Sequence, residues 1–114
     1  MARISEAAVF AEKVRQCWSR DTASIVTPDN PALGQCSVTA LLAQDQLGGT
    51  ILKTAVDGAW HFYNVIDGQR LDFTASQLEQ PIHYDDRPSS REEAFLDTSP
   101  AQHESLAAAF AQIA

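Results

Sequence analysis

The stretch from Trp60 to Thr74 restricts the fold more tightly than any other part of the chain. Asp67-Gly68 separates two runs of strand-forming residues, Trp60-His61-Phe62-Tyr63-Asn64-Val65-Ile66 and Arg70-Leu71-Asp72-Phe73-Thr74. An Asp-Gly pair between such runs predicts a two-residue hairpin turn, because both positions of that turn need a positive φ. With only these two residues in the loop, Thr74 faces His61 and Asp72 lies two positions away on the same side of the sheet. A bulged three-residue loop would reverse that parity. An earlier run at 50–55, closed by Asp57-Gly58, adds a third strand. The alternation places Trp60, Phe62 and Ile66 on one face, with Trp60 and Phe62 read as core, and His61, Tyr63 and Val65 on the other.

Helical signals flank this sheet. Ser5 is a candidate N-cap for a helix over about 5–19, whose apolar positions Ala7, Phe10, Val14, Cys17 and Trp18 recur at helical spacing. Cys17 falls in that stripe and reads as a small buried hydrophobe. Pro28, Pro31 and Gly34 make 21–34 irregular. A second, largely apolar helix spans about 36–47 and stops at Gly48-Gly49. Downstream, a helical turn is expected near 76–79 and an extended piece at 81–84. Ser89 or Ser90 can cap a helix through Leu96, and Ser99-Pro100 opens a last helix reaching about Ile113. The expectation is one α+β domain over residues 1–114, with two N-terminal helices packed on a short antiparallel sheet and C-terminal helices beside it.

Charge narrows the partners. The chain has 114 residues, with 15 acidic against 8 basic side chains and a net charge of −7; 9 of the acids lie from Asp67 onward. Binding to a phosphate backbone needs clustered Lys and Arg, so nucleic acid and anionic membrane surfaces are not expected partners. No apolar run approaches the roughly 18 residues needed to span a bilayer, and the first ten residues lack a signal-type apolar core. Two cysteines in an acidic domain fit reduced thiols and a cytoplasmic location. His83 and His103 lack spaced partners and read as solvated or locally bonded. No dinucleotide or phosphate-loop motif is present, and no cofactor is expected.

The chemistry-bearing segments are Gly34-Gln35-Cys36-Ser37, Trp60-His61-Phe62-Tyr63-Asn64 and Asp72-Phe73-Thr74. A thiol opening a helix meets unsatisfied N–H groups and the positive end of the dipole, which favour a thiolate. A histidine beside it can shuttle a proton, and an aspartate on the neighbouring strand can orient the imidazole. Cys36, His61 and Asp72 are therefore the candidate nucleophile, acid–base and orienting residue. Asn64 falls on the opposite face from His61 and Asp67 falls in the turn, so Asp72 is preferred to either. The same three side chains could ligate zinc, but no CxxC or HxxxH spacing supports it, and no metal is expected.

The order of Cys helix, His strand and Asp strand resembles the core of the papain-like and transglutaminase-like cysteine enzymes. The Gly-Gln-Cys-Ser start, the Gly48-Gly49 pair and the His-Phe-Tyr-Asn and Asp-Phe-Thr strands are similar to the small bacterial YunG-like family, over about residues 25–95. The resemblance implies a papain-like/transglutaminase-like fold and a Cys36-His61-Asp72 triad. The implied activity is that of a thiol-dependent peptidase, amidase or acyl transferase acting through a thioester on a peptide, amide or protein substrate. The alternative is a binding module that keeps the fold without turnover. Papain-like enzymes place a glutamine about six residues before the cysteine. Here Asn30 holds that position and Gln35 adjoins the cysteine, so both are oxyanion candidates, while Tyr63 is a candidate cleft residue.

Overall fold

The computed structural model describes residues 3–23, 34–78 and 80–113. The described residues form an α+β structure of four helices and one four-stranded antiparallel sheet. The order is α1 (Arg3–Arg15), α2 (Cys36–Leu47), β1 (Thr50–Val56), β2 (Ala59–Ile66), β3 (Gln69–Leu71), a 3-10 turn (Ala75–Gln77), β4 (Arg87–Pro88), α3 (Arg91–Ala94) and α4 (Pro100–Ala111). The strand order across the sheet is β3-β2-β1-β4.

Two Asp-Gly turns set the sheet's register. Asp57 and Gly58 have φ of 50° and 83°, Asp67 and Gly68 of 51° and 77°, the double positive φ that matches strand twist in a two-residue hairpin. Ile66 accordingly pairs with Gln69, Val65 with Arg70 and Asn64 with Leu71, the expected unbulged parity. β3 stops at Leu71 rather than at Thr74. Beyond it the Asp72 carboxylate accepts from the Thr74 backbone N–H at 3.2 Å, a local Asx-type bond that replaces the ladder.

α2 is the centre of the packing, with nine of its twelve residues buried. One side meets Ala7, Phe10, Val14 and Cys17 of the α1 region and Leu106 of α4 through Val38, Leu42, Ala43 and Leu47. The other meets Ile51, Phe62 and Ala94 through Cys36, Ala40 and Leu41. A helix that is apolar all round is one covered on all sides. Each such fully buried aliphatic side chain contributes about 1.5–3 kcal/mol. Asn64, on the same face of β2 as Phe62, donates to the Ala40 carbonyl at 3.1 Å and pins the strand to the helix.

Several boundaries differ from expectation. α1 starts at Arg3, so Ser5 lies inside the helix and is not its cap. It ends at Arg15, followed by Gln16 and Cys17 N–H groups bonding three residues back to Lys13 and Val14. Cys17 is buried as expected, and its thiol donates to the Lys13 carbonyl. Residues 81–84 join no strand; the extended pairing falls on Arg87–Pro88 against Leu52 and Lys53. Ser90 and Ser99 cap α3 and α4, accepting from the Glu93 and Gln102 N–H groups. Trp60 is not core. It is 42% exposed, with the Lys53 ammonium 4.1 Å and the Arg87 guanidinium 5.9 Å from its ring centroid. Cation–π contact offsets part of the cost of leaving that ring in water.

Candidate functional site

Cys36 is the first residue of α2 and is 7% exposed. Gln35 precedes it as N-cap, but its side chain makes no capping bond. It turns back instead: Thr22 Oγ1 donates to Gln35 Oε1 at 2.7 Å and Gln35 Nε2 donates to the Ser19 carbonyl at 3.3 Å. Gln35 is fully buried, so it ties the start of α2 to the turn after α1 and does not line an opening. The first-turn N–H groups of α2 are thereby not claimed by the residue that normally claims them. Asn30 lies outside the described residues.

Ser37, next to the thiol, is fully buried and its hydroxyl has no hydrogen-bond partner among the described residues. Leaving such a group unpaired costs about 1–3 kcal/mol. Ser37→Ala is therefore expected to raise stability by about 1 kcal/mol in urea unfolding; a loss of stability would contradict the unpaired hydroxyl.

His61 sits on β2, 2% exposed, with Nε2 2.7 Å from Asp72 Oδ2. A carboxylate only accepts, so Nε2 carries a hydrogen, and the Cys36 side chain is a second hydrogen-bonding partner of the ring. Burial by itself pushes the imidazole towards its neutral form. Hydrogen bonds and charges from Asp72 and from Cys36 outweigh it and raise the imidazole from 6.5 to about 9. The thiol, the imidazole and the carboxylate that sequence reasoning singled out are thus brought together by the start of α2, by β2 and by the turn that follows β3.

Asp72 is held from four directions. Oδ2 accepts from His61 and from the Tyr84 hydroxyl at 2.8 Å; Oδ1 accepts from the Thr74 N–H at 3.2 Å and the Thr74 hydroxyl at 3.4 Å. Its side chain is 6% exposed. Tyr84 was not among the sequence candidates. No spacing marks it, since the contact depends on a non-local crossing of residues 83–86 over the sheet. That crossing is secured by Thr54, whose hydroxyl donates to the His83 carbonyl and accepts from the Asp85 N–H.

Tyr63 shares the face of His61, with ring centroids 6.1 Å apart in a stacked arrangement, but it is 1% exposed. It supports the imidazole rather than lining an open cleft. Its hydroxyl donates to Asp86 Oδ1 and accepts from the Asp86 N–H. Burial, then the bond to the Asp86 carboxylate, pushes the phenol up to about 12. Arg70 grips the same carboxylate through Nε at 2.8 Å and an Nη at 2.5 Å, and lies 4.7 Å from the Tyr84 ring centroid. The Arg70 guanidinium holds the Asp86 carboxyl below its usual range.

Cys36, His61 and Asp72 form a nearly enclosed row. Two grooves approach it. One of about 490 Å³ runs between α1 and residues 69–76 and has Asp72 in its wall. The other, about 330 Å³, has Tyr84 in its wall. His83 is exposed, 3.6 Å from Asp85, and His103 bonds Asp45 at 2.8 Å. Among the described residues, no group of three His, Cys, Asp or Glu side chains is arranged to hold a metal ion, and no helix is long and apolar enough to cross a membrane.

The family model described as "YunG protein" matches residues 6–114. A relative from Bacillus subtilis (strain 168), described as "Uncharacterized protein YunG", is 54% identical over 99 residues, covering 87% of this chain and 86% of that protein. No solved structure matches the chain.

Proposed function

The chain belongs to the YunG family, and we propose that it is a thiol-dependent hydrolase or acyl transferase of papain-like or transglutaminase-like type, with Cys36, His61 and Asp72 as its triad. The observation that carries this reading is the 2.7 Å contact between His61 Nε2 and Asp72 Oδ2, with Cys36, at a helix start, a further hydrogen-bonding partner of the same imidazole. The first turn of α2, which the Gln35 side chain does not cap, supports it, because its N–H groups favour a developing oxyanion.

The chemistry follows from that row. The Cys36 sulfur attacks an acyl carbon and pushes an electron pair onto the carbonyl oxygen. As the oxyanion collapses, the bond to the leaving amine breaks and the amine takes the proton from His61 Nδ1. A thioester remains. Water or a second amine gives its proton to His61 and attacks the thioester, and the carbon–sulfur bond breaks to return the thiolate. Asp72 holds the ring in place throughout and is not itself protonated. Hydrolysis and transamidation share this acyl-enzyme and differ only in the acceptor.

A second reading, a binding module without turnover, draws on the 7% exposure of Cys36, which leaves little room for an acyl group in this conformation. Thiol reactivity separates the two. In the folded protein near pH 7, iodoacetamide is expected to alkylate Cys36 at least about tenfold faster than Cys17, read by peptide mass spectrometry. Cys36→Ala should abolish labelling by an acyl electrophile while the protein stays folded. Equal, slow labelling of both thiols would discard the enzyme reading in favour of the binding module.

A further inference from the structure

We propose that Tyr84 is a fourth member of the row, a positioning residue that fixes Asp72 and, through it, the orientation of His61. The inference rests on the triad reading above and extends it to a residue outside the three.

The hydroxyl of Tyr84 and the Nε2–H of His61 converge on one oxygen, Asp72 Oδ2, at 2.8 and 2.7 Å. Among the described residues, the other oxygen is tied to the adjoining turn, through Thr74. Those local bonds fix one oxygen from within the same turn. A donor from a distant segment fixes the other. Tyr84 is itself well placed to act as a brace. Its ring meets Tyr63 edge-on at 4.9 Å and 73°, and the Arg70 guanidinium covers it. Burial and the Asp72 carboxylate keep its phenol protonated far above neutral pH, so towards Asp72 it can only donate. With Tyr84 donating on one side, Oδ2 still offers a lone pair to His61, and the ring is held with Nε2–H inward and Nδ1 outward. The charged and titratable groups around this pair are Asp72, Cys36 and Tyr63 beside His61, and Arg70, Asp72 and Tyr63 beside Tyr84.

Tyr84→Phe tests the role, since it keeps the ring packing and removes only the donor. The His61 ring is followed by ¹⁵N NMR against pH in the full chain. The expected result is a fall of about one unit in the His61 titration midpoint, with loss of a single neutral tautomer. An unchanged midpoint would mean the hydroxyl is merely packed. A raised midpoint would mean it only drains charge from Asp72. Either overturns the proposal. In an Asp72→Asn background the same change should leave His61 unaltered; an equal shift there would show that Tyr84 does not act through Asp72. These readouts need no turnover. If His61 responds as expected but Cys36 proves unreactive in the wild type, the enzyme reading fails alone; if Cys36 is reactive and His61 ignores Tyr84→Phe, this inference fails alone.

Discussion

Replacing Asp72 with asparagine should lower the His61 titration midpoint from about 9 and cost about 3 kcal/mol of stability at pH 6. Two opposing effects set the wild-type value: burial disfavours the imidazolium, and the Asp72 and Cys36 partners favour it by more. Without the carboxylate, Cys36 alone of the two partners is left to oppose burial. Removing one partner of an enclosed charged pair is costly because the other stays desolvated and unpaired. The sign of the pH dependence follows from the raised value. A basic group whose folded midpoint lies above its unfolded one stabilises fully below 6.5, and that contribution is lost as pH rises through about 9. A shift of this size corresponds to about 3 kcal/mol. Urea unfolding at pH 6 and pH 9.5 should therefore show wild type losing stability across the window, and Asp72→Asn losing much less. Cys17, whose burial raises its thiol above 9.0, also destabilises at the alkaline end, but it does so in both proteins and cancels in the comparison. Parallel pH slopes for the two proteins would refute the linkage of His61 to Asp72.

Gly49→Ala is expected to be among the most damaging single-methyl additions in the chain. Gly49 has a φ of +77°, and a Cβ there would run into the Val65 carbonyl and press on Ile66 Cγ1. Neither the β2 backbone nor the Ile66 side chain, packed against α2, has room to retreat. Left-handed strain and overpacking against backbone together predict a loss of about 3 kcal/mol or more. Gly68 is the control. It has the same φ of +77° with nothing within 4 Å of an added Cβ, so Gly68→Ala should cost only about 1 kcal/mol. Equal losses for the two variants in urea unfolding would show that backbone strain, and not the approach of β1 to β2, sets the requirement at Gly49.

What could be read in the sequence was governed by local signals. The Asp67-Gly68 turn gives the unbulged parity, seen as far as the pair Asn64 and Leu71; the expected pairing of Thr74 with His61 does not form, and Asp72 meets His61 from just beyond the strand. The bounds of α2 were legible because Gly34 and Gly48, both at positive φ, punctuate it. The missed features are non-local or depend on side-chain competition. β3 is short because the Asp72 carboxylate takes the Thr74 N–H. Trp60 is outside because Lys53 and Arg87 cover its ring, which no apolar count reveals. Gln35 adjoins the thiol in sequence, yet its amide is spent on Ser19 and Thr22. Tyr84 reaches Asp72 only because Thr54 and Tyr63 dock residues 83–86 across the sheet, and nothing in the spacing of 80–88 announces that crossing.

The short rims of the sheet bear on how copies of this chain meet. At one rim stands a strand of three residues, at the other the pair Arg87–Pro88, where proline has no amide hydrogen to offer. The two rim strands themselves offer a neighbouring chain only short runs of main-chain groups on which to template itself. Such blunted margins discourage the strand-to-strand accretion that leads to fibrils, so concentrated preparations should stay free of thioflavin-binding aggregate for as long as the sheet remains folded.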